Sequence, residues 1–379
     1  MSYLEYQVKH VPQGFRKLLY LNWPLVILLT AVASAGFLML YSVAGGDITL
    51  WAQPQMERYG MGFVLMLVIA MVPIWFWRNM SVLAYGFALI LLLLVPLIGV
   101  ERNGSQRWLD LGPMLLQPSE VMKISMVMIL AAYYDWLPLN RVSRPVFVLI
   151  PLVLIAIPVL LVRDQPDLGT ALLLLAGGGA MMFLAGVHWL YFASVIGAGV
   201  GAVVAVFKSR GTDWQILADY QYARIDTFLD PTADPLAAGY HITQAKIAFG
   251  SGGLTGRGFM EGTQTRLNFL PEKQTDFIFN TLAEEFGFVG TSTLLLLYGL
   301  IVLFCVISAL RMADRFASLL VLGVAVTFFL YFGVNMAMVT GLAPVVGVPL
   351  PLVSYGGSAM LVLLAAFGLV QSAHVHRPR

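Results

Sequence analysis

Charge is scarce in this sequence. Only 11% of its 379 residues are Asp, Glu, Lys or Arg, while 59% are hydrophobic, against about 25% and roughly 45–50% in soluble domains. So few charges cannot cover a water-facing surface, which excludes a set of soluble domains and makes lipid the main solvent. A net charge of +2, with no Lys/Arg run interleaved with aromatics, excludes nucleic acid as a partner. Cysteine is nearly absent. Cys305 stands alone in an apolar run, so it forms no intramolecular disulfide and packs as a small hydrophobe. The five histidines show no metal-ligand spacing, and no nucleophile elbow or serine–histidine arrangement occurs. Glycine-rich GSGGLTGRGF (250–259) follows no strand and ends in no Gly-Lys-Ser/Thr, which excludes a nucleotide-binding loop.

What the chain has is long apolar runs, about ten of them. They cover Pro24 to Val43, Gly60 to Phe76, Val82 to Val100, Val121 to Tyr134, Val146 to Val162, Ala171 to Ala185, Trp189 to Phe207, Phe277 to Leu310, Phe316 to Gly341 and Ala359 to Gln371. This predicts an all-α integral membrane protein, a single polytopic domain over 1–379. The first run is too long for a signal-peptide core and reads as an uncleaved helix. Lys9, Arg16, Lys17, Arg78, Arg141, Arg144, Arg311, Arg315, Arg377 and Arg379 fall on one side of the spans. Only Arg58, Arg102, Arg107 and Arg163 fall on the other in short loops, which places both termini in the cytoplasm. Residues 101–118, 163–169 and the long 208–276 connection then lie outside. That connection, about 70 residues, is far longer than the usual roughly 4–6. Two of its segments, Trp214 to Phe228 and His241 to Phe249, read as short interfacial helices, the second ended by Gly250.

Ionisable groups at membrane depth are costly and mark sites by default. In RLNFLPEKQTDFIFNTLAEEFGFVG (266–290), Pro271 stops the preceding segment, and Thr275 or Asp276 is expected to cap the next helix. Asn280, Glu284 and Gly287 follow Asp276 at offsets of four, eight and eleven, a polar or small stripe. Asp276 is either a cap or a site carboxylate; Glu284 and Glu285 are expected to hold the helix. In ERNGSQRWLDLGPMLLQPSEVMKIS (101–125), Glu120 and Lys123 are neighbours on one helix face. They form either a structural ion pair or an ammonium offered to an anionic ligand. In RDQPDLGTA, Asp167 is a helix cap or a site residue. PVVGVPLPLVSYGGS (344–358) is a Pro/Gly-rich break, tolerated in a membrane only when buried in protein or lining a cavity.

Taken together, QRWLDLG with QPSE, QPDLGTA, GSGGLTGRGF, LPEKQTDFIFNTLAEEFGFVG and PLPLVSYGGS resemble the SEDS proteins of bacterial cell-wall synthesis (shape, elongation, division and sporulation), in order and over nearly the whole chain. EGTQTRLNFLPEK ahead of TDF is closer to the elongation member than to the division member. Gln274 departs from the histidine that many relatives carry, so no histidine role is carried over. The resemblance implies a peptidoglycan glycosyltransferase that polymerises lipid II on the outer face of the bacterial cytoplasmic (inner) membrane. The implied partners are a crosslinking class B penicillin-binding protein, membrane lipids and other elongation-complex proteins. It also implies that Asp276 is required for activity, and that Glu120 and Lys123 lie beside the same cavity.

The chemistry of the residues points the same way. Forming a glycosidic bond needs a base for the attacking sugar hydroxyl, and Asp276 is suited to it. A polyprenyl diphosphate leaving group needs charge neutralisation, for which Arg102, Arg107, Lys123, Lys246 and Arg257 are candidates. Asp167, Glu272, Lys273, Thr275 and Ser354 complete the expected binding set. No metal ligand is assigned; a divalent cation such as Mg2+ is an expectation of the leaving group alone. Two other classes fit the same features: a flippase for the same lipid, and a non-catalytic scaffold.

Overall fold

The computed structural model describes residues 14–102, 105–110, 112, 114–212, 214–216, 222, 226, 238–267, 269, 272–344 and 347–377. Among them, ten helices of 17 residues or more carry the fold. In chain order these are α1 (Trp23–Val43), α2 (Ala52–Met71), α3 (Ile74–Ile98), α4 (Pro118–Trp136), α5 (Pro145–Asp164), α6 (Leu168–Leu184) and α7 (Trp189–Ser209), then α10 (Ile278–Leu310), α11 (Arg315–Val339) and α12 (Ser358–Val375). Two short helices, α8 (Ala238–Ser251) and α9 (Thr263–Arg266), lie between α7 and α10. Seven helices (α1, α3, α5, α7, α10, α11 and α12) are long and apolar enough to cross a membrane. The chain is a multi-pass membrane protein.

Local sequence explains most boundaries. Asn22 accepts a bond from Leu25 N to cap α1, and Pro118 and Pro145 open α4 and α5, where a missing N–H costs nothing. The expected Gly60 to Phe76 span is corrected. Pro73 drives Val72 into an extended conformation (φ −82°, ψ 132°), so α2 ends at Met71 and a new helix starts at Ile74. The described residues between α3 and α4 include a three-stranded antiparallel sheet, β1 (Val100–Arg102), β2 (Ser105–Asp110) and β3 (Leu115–Leu116). The expected His241 to Phe249 helix is longer at both ends, and Gly250 lies inside it. The expected Trp214 to Phe228 helix falls largely outside the described residues.

α12 runs along α2, α3 along α4 and α5 along α6, while α11 meets α4, α6, α10 and α12. α4, α10, α11 and α12 therefore form the interior, and α7, with only Ser209 buried, faces lipid. One end of the bundle is tied by Arg78, which pairs with Asp135 at 3.4 Å and with Asp314, and by Arg315, which donates to Leu137 O at 2.7 Å. The opposite end gathers the sheet, the 165–167 turn, residues 252–267 and 272–277, and the 347–358 segment.

The interior also contains a broken helix. Gly287 in α10 has φ 62° and ψ −156°, a conformation essentially confined to glycine. The break frees carbonyls and amides that lipid cannot satisfy, and the glycine-rich loop supplies their partners. Arg257 N and Gly258 N donate to Glu284 O (2.9 Å) and Glu285 O (3.1 Å). In return, Phe288 N and Val289 N donate to Gly253 O (2.9 Å) and Leu254 O (3.1 Å). The loop binds helix backbone, and its glycines admit that close approach. A Cβ at Gly287 would lie 2.7 Å from Leu254 C. Gly287→Ala is therefore expected to destabilise the protein by about 1–3 kcal/mol from backbone strain alone, seen as a lower melting temperature of the purified protein in detergent. An unchanged melting temperature would show that the break is not required.

Candidate active site

The turn ahead of α10, residues 272–277, is fixed through its backbone. Ser354 Oγ donates to Thr275 O at 2.5 Å, Tyr355 N to Gln274 O at 2.8 Å, and Asn335 Nδ2 to Asp276 O at 3.0 Å. Asn335 Nδ2 also donates to Val348 O (2.7 Å), and Ser354 Oγ accepts from Leu350 N (2.7 Å). The irregular 347–356 segment thus holds the turn along its length, which places the Pro/Gly-rich break at the site.

These bonds use the backbone, and among the described residues none engages the Asp276 carboxyl. The expected cap is corrected: Phe277 is the residue flanking the helix and makes no side-chain cap bond, and Asp276 lies outside the helix altogether. Its carboxyl is half-buried, and a Cβ built on Gly347 would lie 3.6 Å from Oδ2. Burial, and secondarily the Glu272 carboxylate, push the Asp276 pKa up to about 6. Glu272 is exposed and accepts from Gln274 Nε2 (3.3 Å) and Thr275 Oγ1 (3.2 Å). Lys273 Nζ donates to Thr265 O at 3.0 Å.

One helix of the interior joins this turn to the second expected pair. Tyr331 and Asn335 are four apart on α11 and share a face. Asn335 holds Asp276; Tyr331 OH donates to Glu120 Oε2 at 2.8 Å. Glu120 also accepts from Lys123 Nζ at 2.7 Å, and that ammonium lies 3.9 Å from the centroid of the Tyr331 ring. Both charged residues are buried, at 7% and 3% exposure. A cavity of about 60 Å³ is lined by Glu120, Lys123, Tyr331 and Ser354 together with apolar Ile124 and Phe328. It has room for at least a few waters. Asp276 is not among its lining residues, so the pair and the turn are neighbours through α11 and Ser354 without sharing one pocket.

Several expected clamps are committed elsewhere. Asp167 caps α6 by accepting from Thr170 N (3.2 Å), accepts from Gln117 Nε2 (3.3 Å), and lies 3.7 Å from Arg107. Arg107 donates to Gln165 O (3.1 Å) and Pro166 O, latching the 165–167 turn. Arg257 donates to Thr263 Oγ1 (2.8 Å) within the glycine-rich segment. Lys246 is exposed on α8 beside Gly341, and the side chain of Arg102 lies outside the described residues. The polar stripe of α10 faces the connection as well. Asn280 donates to Ala245 O (2.7 Å), Glu284 accepts from Thr263 Oγ1 and Gln264 N (3.0 Å each), and Glu285 accepts from Ser42 Oγ. Glu284 and Glu285 hold structure, as the sequence predicts.

The residues the sequence did not single out are Tyr331, Asn335, Tyr355 and Gln55. Gln55 Nε2 donates to Ser354 O at 2.9 Å, and Gln55 Oε1 accepts from Gly356 N at 3.3 Å. Asn335 was findable, as an amide four residues beyond a tyrosine in an apolar helix; Tyr355 acts through its backbone, which leaves no residue signal. Among the described residues no three His, Cys, Asp or Glu side chains are grouped to hold a metal ion.

Comparison with known proteins gives a consistent result. Residues 17–379 match a family model that joins FtsW, RodA and SpoVE and is described as cell cycle protein. The chain is 48% identical over 283 residues to the peptidoglycan glycosyltransferase MrdB of Escherichia coli K12, covering 74% of this chain and 73% of that protein. It superposes with a TM-score of 0.80 at 31% identity, over 93% of this chain and 97% of the other, on a chain from a structure of a peptidoglycan synthase complex that coordinates polymerization and crosslinking. The rod shape determining protein RodA of Thermus thermophilus matches with a TM-score of 0.70 at 29% identity, over 95% of this chain and 98% of that one. With the broken α10 and its fixed Asp276 turn in view, the chain belongs to the FtsW/RodA/SpoVE family, the SEDS proteins.

Proposed function

We propose that this protein is a peptidoglycan glycosyltransferase that polymerises lipid II during cell elongation, with Asp276 as its general base. One observation carries the assignment of the base. The Asp276 carboxyl is the uncommitted group of a turn whose backbone is pinned by Ser354, Tyr355 and Asn335. A base works best with a pKa near the working pH, and a value of about 6 lets the carboxylate accept a proton and later release it. A sugar hydroxyl loses its proton to Asp276 as its oxygen bonds to the anomeric carbon. The bond from that carbon to the diphosphate breaks, and the diphosphate leaves with its electron pair.

The same reading places the protein in the cytoplasmic (inner) membrane with both termini inside, so that the Asp276 turn faces outward where polymer is made. A class B penicillin-binding protein is the expected partner, in keeping with the synthase complex on which the chain superposes. Mg2+ commonly uses one or two carboxylates plus substrate phosphates. Exposed Glu272 would hold such an ion arriving on the diphosphate, and the ion's chemistry would be neutralisation of leaving-group charge.

Glu120 and Lys123 serve this site by fixing α4 against α11. Removing one partner of a buried pair typically costs about 3–5 kcal/mol because the other charge is stranded, while replacing both is often neutral. Three outcomes are expected. Asp276→Asn, with its partner present, abolishes lipid II polymerisation in detergent while leaving the melting temperature near wild type; surviving polymerisation would remove Asp276 from the base role, and lipid movement across sealed vesicles without polymerisation would favour a flippase. The base acts ionised, so activity should fall as pH drops through about 6, about tenfold per pH unit below it; an acid limb near 4 would mean an unperturbed carboxylate. Lys123→Met should lower the melting temperature sharply, and Glu120→Gln added to it should restore much of the loss.

A further inference from the structure

Residues 354–356 hold the 272–277 turn, so a group that sets these three residues also sets the turn. Ser354 gives its hydroxyl to Thr275 O, and Tyr355 gives its N–H to Gln274 O. Ser354 O and Gly356 N, on either side of Tyr355, lie in a stretch that is neither helix nor strand and need partners elsewhere. Both end on one side chain. Gln55 Nε2 donates to Ser354 O at 2.9 Å, and Gln55 Oε1 accepts from Gly356 N at 3.3 Å. Gln55 is fully buried near the start of α2.

A whole face of α2 meets this stretch. Trp51, Gln55 and Arg58 are spaced four and three residues apart, which puts them on one side of the helix. The Trp51 ring packs edge-on to Tyr355 (centroids 4.8 Å apart), and the guanidinium carbon of Arg58 lies 4.7 Å from the centroid of the same ring. These contacts restrain the Tyr355 side chain, while the Gln55 carboxamide brackets its backbone. The fit is demanding. A carboxamide carries a donor and an acceptor on one planar group, and its two partners, a carbonyl and an N–H, dictate which end is which. An ionised carboxylate has no donor, an aliphatic side chain has neither, and asparagine is one methylene short. With Gln55 removed, two buried backbone groups go unmet, and the relief open to residues 354–356 is to move. The turn would move with them.

On the reading that Asp276 is the base, we propose that Gln55 is its positioning residue, acting from α2 through Ser354 and Tyr355. The full-length protein with its partner tests this in detergent. Gln55→Leu is expected to lower kcat for lipid II polymerisation by about tenfold or more with KM little changed, because a displacement of about 1 Å costs on that order. Loosened from its burial, Asp276 should titrate lower. The acid limb of activity, near 6 in the wild type, should then move toward about 4; a side chain that only stabilised the fold would scale the profile down without moving it. Amide hydrogen exchange should speed up in peptides covering 272–277 and 353–357 and stay unchanged in α5 and α6. Wild-type exchange in those two segments, or a wild-type kcat and acid limb, overturns the proposal. The exchange measurement needs no catalysis. Faster exchange in Gln55→Leu, found together with an Asp276→Asn variant that still polymerises, would support the hold of Gln55 on the turn and count against the base reading alone. If Gln55→Leu does not fold, Gln55→Asn, which keeps the carboxamide but falls short of both partners, must lower kcat and speed the same exchange, or the proposal fails.

Discussion

Unpaired backbone cannot be left in lipid, and this constraint organises the protein. Three irregular stretches interrupt its helices at one end of the bundle: the break at Gly287, the 272–277 turn and the 347–356 segment. Each would be too costly alone at membrane depth. They are viable because they satisfy one another and the helices around them. The glycine-rich loop fills the break, Ser354 and Tyr355 bond the turn, and Asn335 bridges the turn to Val348. The Asp276 carboxyl is placed by bonds to the backbone of this turn, and among the described residues no donor is bonded to its oxygens.

Charge follows the same economy. The carboxylates within α10 are spent on structure, Glu284 on the 263–264 segment and Glu285 on Ser42. Glu120 and Lys123 neutralise each other in the interior, with Tyr331 completing the set. Asp276 is left half-buried near Gly347, with the Glu272 carboxylate repelling its charge. Desolvation without a compensating donor is the condition that raises a carboxyl into the range where proton transfer at neutral pH is effective. The family's glycine-rich signature turns out to serve backbone pairing, which explains why it lacks the lysine and strand of a phosphate-binding loop.

Much of this was legible in the sequence. Apolar runs located the long helices because hydrophobic length is set by the bilayer, and the motifs from QPSE to SYGGS supplied the residues of the candidate site. Errors arose where a local signal competed with a tertiary one. Pro73 outweighed the hydrophobic run from Gly60 to Phe76, so one expected span became the end of α2 and the start of α3. Asp276 has the chemistry of a cap, yet the bonds from Ser354, Tyr355 and Asn335 carry the turn one residue further and leave Phe277 at the boundary. Arg107 and Arg257 looked like phosphate clamps because composition shows a charge and not which oxygen it meets, carbonyls for Arg107 and the Thr263 hydroxyl for Arg257.

The arrangement also explains why an interior helix can couple the two halves of the site. Tyr331 and Asn335 sit one turn apart on α11, so a shift of that helix by a fraction of a turn would disturb the Glu120–Lys123 pair and the Asp276 turn together. Packed interiors respond to displacement by switching between discrete arrangements more readily than by continuous deformation. Tyr331 resists such a shift, because moving it would take its hydroxyl from the buried Glu120 carboxylate and its ring from the Lys123 ammonium. Its service to the chemistry is therefore one of registration: it keeps α4 and α11 in the single alignment that presents the Asp276 carboxyl at the mouth of α10.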